Sequence, residues 1–117
     1  MRLKNVYVAI SIAICSAGVQ AEAFSPEQQK ACKGMGRYAE TVVDLYISGT
    51  SRMEALRMID NNGGKEATRE LLRKITNSSY DDLVAFGTIR TQDARTALKG
   101  NIGIKGEMIC LKSLNSK

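Results

Sequence analysis

The chain has 117 residues, with 17 Lys and Arg, 12 Asp and Glu and no histidine, for a formal net charge of +5. That length holds one small domain, and the missing histidine excludes Ser–His and Cys–His nucleophilic catalysis and any histidine-ligated metal. The basic residues are scattered among acids without a run of five or six like charges, which argues against the concentrated basic face of a nucleic-acid binder.

At the N-terminus, Arg2 and Lys4 precede Val6 to Val19, an uncharged apolar run of fourteen residues. Small-residue positions at Val19-Gln20-Ala21 and Ala21-Glu22-Ala23 follow it, the layout of a secretory signal peptide. The run is shorter than the roughly 20 apolar residues a transmembrane helix needs. Ile14 before Cys15 is unlike a lipidation site, so Cys15 is expected to leave with the leader. The prediction is therefore a signal peptide at 1–23, cleaved after Ala21 or Ala23, and a periplasmic or secreted domain at 24–117. Removing residues 1–23 from 117 leaves 94, and the loss of Arg2, Lys4 and Glu22 lowers the net charge by one, to +4.

The exported part reads as helices separated by capping signals. Ser25-Pro26-Glu27-Gln28 combines a serine cap, proline at the first helical position and glutamine at the third. Cys32, Met35, Ala39, Val42 and Tyr46 then recur at helical spacing, predicting an amphipathic helix to about Ile47, stopped by Ser48-Gly49. Ser51-Arg52-Met53-Glu54 is a second capping box, opening a short helix with Met53, Leu56 and Ile59 on one side and Asn61-Asn62-Gly63-Gly64 at its end. A third helix is predicted from about Lys65 to Ile75, broken by Asn77-Ser78-Ser79, and a fourth from Tyr80 to Phe86. A fifth starts after Thr91 and runs toward Gly100. Alternating residues suggest a strand only around Ile102 to Ile104. The fold expected is all-α, a small bundle of four or five short helices.

Cys32 and Cys110 are the cysteines left after removal of the leader. In an oxidising compartment they allow one intramolecular disulfide, tying the first helix to the C-terminal segment. Closing a loop of 79 residues, counted inclusively, is worth about 4–5 kcal/mol in the chain-entropy model.

Ile102-Gly103-Ile104-Lys105-Gly106-Glu107-Met108-Ile109 resembles the I-G-x-x-G-x-x-I core of KH domains, whose GxxG loop clamps a nucleic-acid backbone. A KH loop continues into a helix and a strand, and only 11 residues follow Gly106. The spacing also fits neither dinucleotide nor P-loop patterns. These glycines are read instead as a flexible turn, or as places where a last helix approaches a neighbour closely. Ile102, Ile104 and Ile109 are then available to pack around the disulfide.

Two basic clusters are candidate anion- or partner-binding sites: Lys30, Lys33 and Arg37 on the first helix, and Arg69 with Arg73 on the third. Either is equally read as a solvated face, with Glu40 compensating Arg37 and Glu66 and Glu70 compensating Arg69 or Arg73. Asp81 and Asp82 are read as first-turn acids favouring a helix dipole. Asn77-Ser78-Ser79 fits the glycosylation pattern, but here it is read as a helix-breaking loop.

No catalytic residue, metal site or cofactor is expected, and no nucleic-acid partner. The expectation is a small exported bacterial protein, not an enzyme, acting through contact with another envelope or secreted protein as an inhibitor, immunity-type or accessory factor. The arrangement is also similar in shape to small periplasmic helical proteins with one disulfide, including acid-stress chaperones, and a chaperone of that type is the alternative. A small carboxylate-based enzyme is a more distant one.

Overall fold

The computed structural model describes residues 24–62 and 64–115; the predicted leader, with its cleavage positions and Cys15, lies outside the described residues. Four helices follow one another: α1 Pro26–Ile47, α2 Arg52–Asn61, α3 Glu66–Phe86 and α4 Gln92–Asn115. There is no strand among the described residues, so Ile102 to Ile104 is helical. The all-α bundle expected from the sequence is present, with four helices of which three are long.

α1 starts where its cap dictates. The Ser25 hydroxyl accepts from the Gln28 N–H at 3.0 Å and the Gln28 side chain accepts from the Ser25 N–H at 2.9 Å, so two of the helix's orphan donors are satisfied at once. α2 keeps only half of its predicted box, with the Glu54 N–H donating to the Ser51 hydroxyl at 3.1 Å. Thr91 caps α4 by accepting from the Ala94 N–H at 3.0 Å. α3 stops at Gly87, whose φ of 93° lies in the left-handed region that costs a Cβ-free residue little.

The predicted break at Asn77-Ser78-Ser79 does not occur, and the third and fourth predicted helices are one. Tertiary contacts override the weak local preference there. Thr76 and Ser79 are buried. The Thr76 hydroxyl donates to the Leu72 carbonyl one turn back, at 2.8 Å, and accepts from the Tyr38 hydroxyl at 2.7 Å. Asn77 accepts from Arg52. Ile75 and Leu83, fully buried on either side of the polar stretch, each contribute about 1.5–3 kcal/mol by leaving water. A break between them would pull at least one out of the core.

α1 and α4 share the largest helix–helix interface and run antiparallel. Moving along α1 from Cys32 through Gly36 and Glu40 to Asp44, the contacts on α4 step back from Cys110 through Gly106 and Gly103 to Lys99 and Arg95. α3 packs across both, and the main core gathers Ala39, Val43, Ile75, Leu83, Leu98 and Ile102. α2 closes a smaller cluster of Val42, Ala55 and Tyr80. Tyr80 holds this corner: its hydroxyl donates to the Thr50 carbonyl at 2.7 Å, its ring meets Tyr46 edge to face at 5.7 Å, and Arg52 lies over it.

Candidate functional site

The predicted disulfide is present. Cys32 and Cys110 are bonded, with their Cα atoms 5.4 Å apart, and both are buried. The glycine segment leading to Cys110 is the middle of α4, so its backbone N–H groups serve the helix and do not form a phosphate cradle. Gly103 and Gly106 face α1 and let the two backbones nearly touch. A Cβ on Gly36 would lie 2.8 Å from the Gly103 carbonyl oxygen, and one on Gly106 would lie 2.7 Å from the Ala39 Cβ. Of the two readings these glycines allowed, close helix approach is the one realised. Lys105 is turned away from α1 and donates to both carboxylate oxygens of Asp82, at 3.1 and 2.9 Å.

The structure separates the two basic clusters. Arg69 donates twice to Glu66 and once to the Gly64 carbonyl. Arg73 bridges Asp60 and Glu66, both at 2.7 Å, and so clamps the end of α2 to the start of α3. Glu66 sits below the ordinary carboxylate range because of the hydrogen bond from Arg69, then that from Arg73. Arg69 and Arg73 are therefore occupied within the fold, through Glu66 and Asp60; Glu70 takes no part. Lys30, Lys33 and Arg37 are exposed on one side of α1, and no carboxylate among the described residues, Glu40 included, forms an ion pair with any of them. Seven residue steps along a helix cover about 10 Å, so three uncompensated cations lie within one short strip, on the turns around Cys32.

Asp81 and Asp82 lie in the last third of α3, not in a first turn, so the helix-dipole reading is replaced by two bridges between helices: Arg52 to Asp81 at 2.7 Å and Lys105 to Asp82. Asp44 takes Arg95 at 2.9 Å and Lys99 at 3.1 Å, and its carboxyl is held below the ordinary range by those two hydrogen bonds, Arg95 first. A depression of about 520 Å³ is open to solvent between α3 and the end of α4, and Glu70 is the one carboxylate lining it. Among the described residues no group of three or more His, Cys, Asp or Glu side chains could hold a metal, and no helix is long and apolar enough to cross a membrane.

Sequence reasoning missed one feature. Ile104 does not pack around the disulfide: it is 61% exposed and Met108 is 54% exposed, while Ile102 lies in the main core and Ile109 packs against it. α4 is apolar on its outer side as well as its inner side. The signal was present in Ile102, Ile104, Met108 and Ile109, which no single helical stripe can accommodate. Compared with known proteins, the chain matches no family model, no curated protein and no solved structure.

Proposed function

We propose that this chain is a small exported protein, not an enzyme, that works by contact with another envelope or secreted protein as an inhibitor, immunity-type or accessory factor. The observation that carries this reading is the strip Lys30, Lys33 and Arg37. These side chains are exposed and uncompensated, and they stand on a helix fixed at that point by Cys32–Cys110. Cations on a rigid element attract an acidic surface during encounter, raising association rates and rejecting basic partners. The apolar leader supports the export half of the reading, and the disulfide is consistent with an oxidising compartment.

The test is crosslinking in the native envelope, followed by identification of what is attached, with the wild-type chain and the K30E/K33E/R37E variant. The variant's positions are exposed, so its helical circular dichroism should match wild type. A specific adduct should fall at least tenfold, and an unchanged adduct pattern would remove the strip from the argument.

A second reading, an acid-stress chaperone, draws on the bridges between helices. Asp44 joins α1 to α4, Asp60 and Asp81 join α2 to α3, and Asp82 joins α3 to α4. Protonation removes all of them while the cations remain. That reading requires apolar-dye binding and suppression of aggregation to appear on acidification; no change down to about pH 2, well below the carboxylate range, eliminates it.

A further inference from the structure

We infer that the outer face of α4 is a self-association surface that pairs antiparallel with the same face of a second copy of this chain. This goes beyond the contact with a foreign partner, which rests on α1. On the outer side of α4, Ala97, Gly100, Asn101, Ile104 and Met108 are exposed and Leu111 is partly so. Ala97, Asn101, Ile104, Met108 and Leu111 follow one another at intervals of four, three, four and three, with Gly100 beside them, so they form one continuous strip. Between Asp93 and Lys112 none of these residues is charged, although 25% of the chain is; the half-buried Glu107 borders the strip beside Ile104 and Leu111. The neighbouring cations on α4 are turned aside: Arg95 and Lys99 to Asp44, and Lys105 to Asp82. A net positive chain repels its own copies on average, and an uncharged strip adds nothing to that repulsion.

The occupant follows from how size and charge are arranged along the strip. Its first half is small or polar (Ala97, Gly100, Asn101) and its second half is large (Ile104, Met108, Leu111). A two-fold axis between residues 102 and 103 sets Met108 over the second copy's Ala97 and Ile104 over its Asn101. The same axis brings Asp93 opposite Lys112 at both ends. The parallel arrangement would stack large on large and place each end charge beside its own kind. An isologous contact needs a patch complementary to itself, and the antiparallel arrangement supplies both shape and charge. Asp93 to Lys112 spans about 29 Å of helix. One helix covering such a strip falls at the low end of specific interfaces, below about 1,200 Å², so the association expected is micromolar or weaker.

Sedimentation velocity on the purified protein, as it accumulates in the cells that make it, tests this across about 1 µM to 1 mM. The sedimentation coefficient should rise with concentration to that of a dimer. I104K, which places two lysines near the axis, should weaken association at least tenfold, while M53K, an exposed apolar position on α2, should leave it unchanged. Register is read by mixing: A97K and M108E should each associate weakly alone and recover together. Circular dichroism on every variant confirms the helical content. A wild-type protein that stays monomeric to 1 mM overturns the inference, as does an I104K variant that associates normally. Equal loss in M53K, or a mixture no stronger than its components, overturns it too.

Discussion

The close crossing of α1 and α4 can be tested by adding one methyl group. Gly34 and Gly106 both lie inside helices, but a Cβ at Gly34 meets nothing within 4 Å, whereas one at Gly106 lies 2.7 Å from the Ala39 Cβ and 3.3 Å from the Met35 carbonyl oxygen. Replacing a helical glycine by alanine gains about 1 kcal/mol of helix propensity at either position. G34A should collect that gain in full. G106A must first restore carbon–carbon separations of about 3.5–4 Å, moving the helices apart by roughly 1 Å beside a covalent bond that resists the movement. Overpacking of this kind costs about 1–3 kcal/mol, so G106A should end between neutral and about 2 kcal/mol destabilised. The two variants should therefore differ by about 1–3 kcal/mol, with propensity cancelled. Urea unfolding of both, with the disulfide oxidised and the slopes unchanged, reads this from the midpoints. If G106A were stabilised as much as G34A, the backbones would not be in contact and the role given to the glycines would be wrong.

Further outcomes follow from other parts of the fold. C110S should lower stability by about 4–5 kcal/mol, because Cys32 and Cys110 are 78 positions apart and the open chain regains that loop's freedom; thermal unfolding with and without reductant checks it, since reductant should lower wild type but not the variant. T76V leaves the half-buried Tyr38 hydroxyl without its acceptor and should cost about 1–2 kcal/mol, whereas Y38F, which leaves Thr76 still donating to Leu72, should cost less. Asp44 has a folded pKa below its ordinary 3.8, so its contribution is present above that value and lost as pH falls through the folded pKa. With its side chain 40% exposed, D44N should cost less than about 1 kcal/mol at pH 7, shrinking in high salt. The difference between wild type and D44N should shrink as pH falls below roughly 4, and a difference that does not shrink on acidification would contradict the assignment.

Local signals were legible where they acted alone. Ser25, Ser48-Gly49, Ser51 and Thr91 each mark a helix boundary that the structure places within a residue or two, because capping is settled by neighbours in sequence. The stripe through Cys32, Ala39 and Val42 was readable for the same reason, since one face of α1 meets the core throughout. One reading failed, and one stayed open between two alternatives, where distant residues decide. Asn77-Ser78-Ser79 looks like a breaker until Arg52, 25 residues away, is seen to bond Asn77, and Tyr38 to bond the adjoining Thr76. The glycines of α4 look like a loop because their helix-weakening effect is local, while the backbone contact that offsets it belongs to α1. The candidate site divided along the same line. Nothing near Arg69 and Arg73 in sequence points to Asp60 as the acid that completes their clamp, and only the absence of such an acid distinguishes Lys30, Lys33 and Arg37.

The pairing of the first helix with the last also sets a timetable. The 68 residues between Ile47 and Asn115 take roughly 3–14 s to make at the usual 5–20 residues per second. For that interval α1 lacks the helix that covers its glycine face, and Cys32 waits as a thiol for a partner made 78 residues later. Contacts this far apart in sequence are slow to form in a helical protein, so a chain cut before Cys110 would lack the disulfide and leave the glycine face of α1 without the helix segment that clasps it.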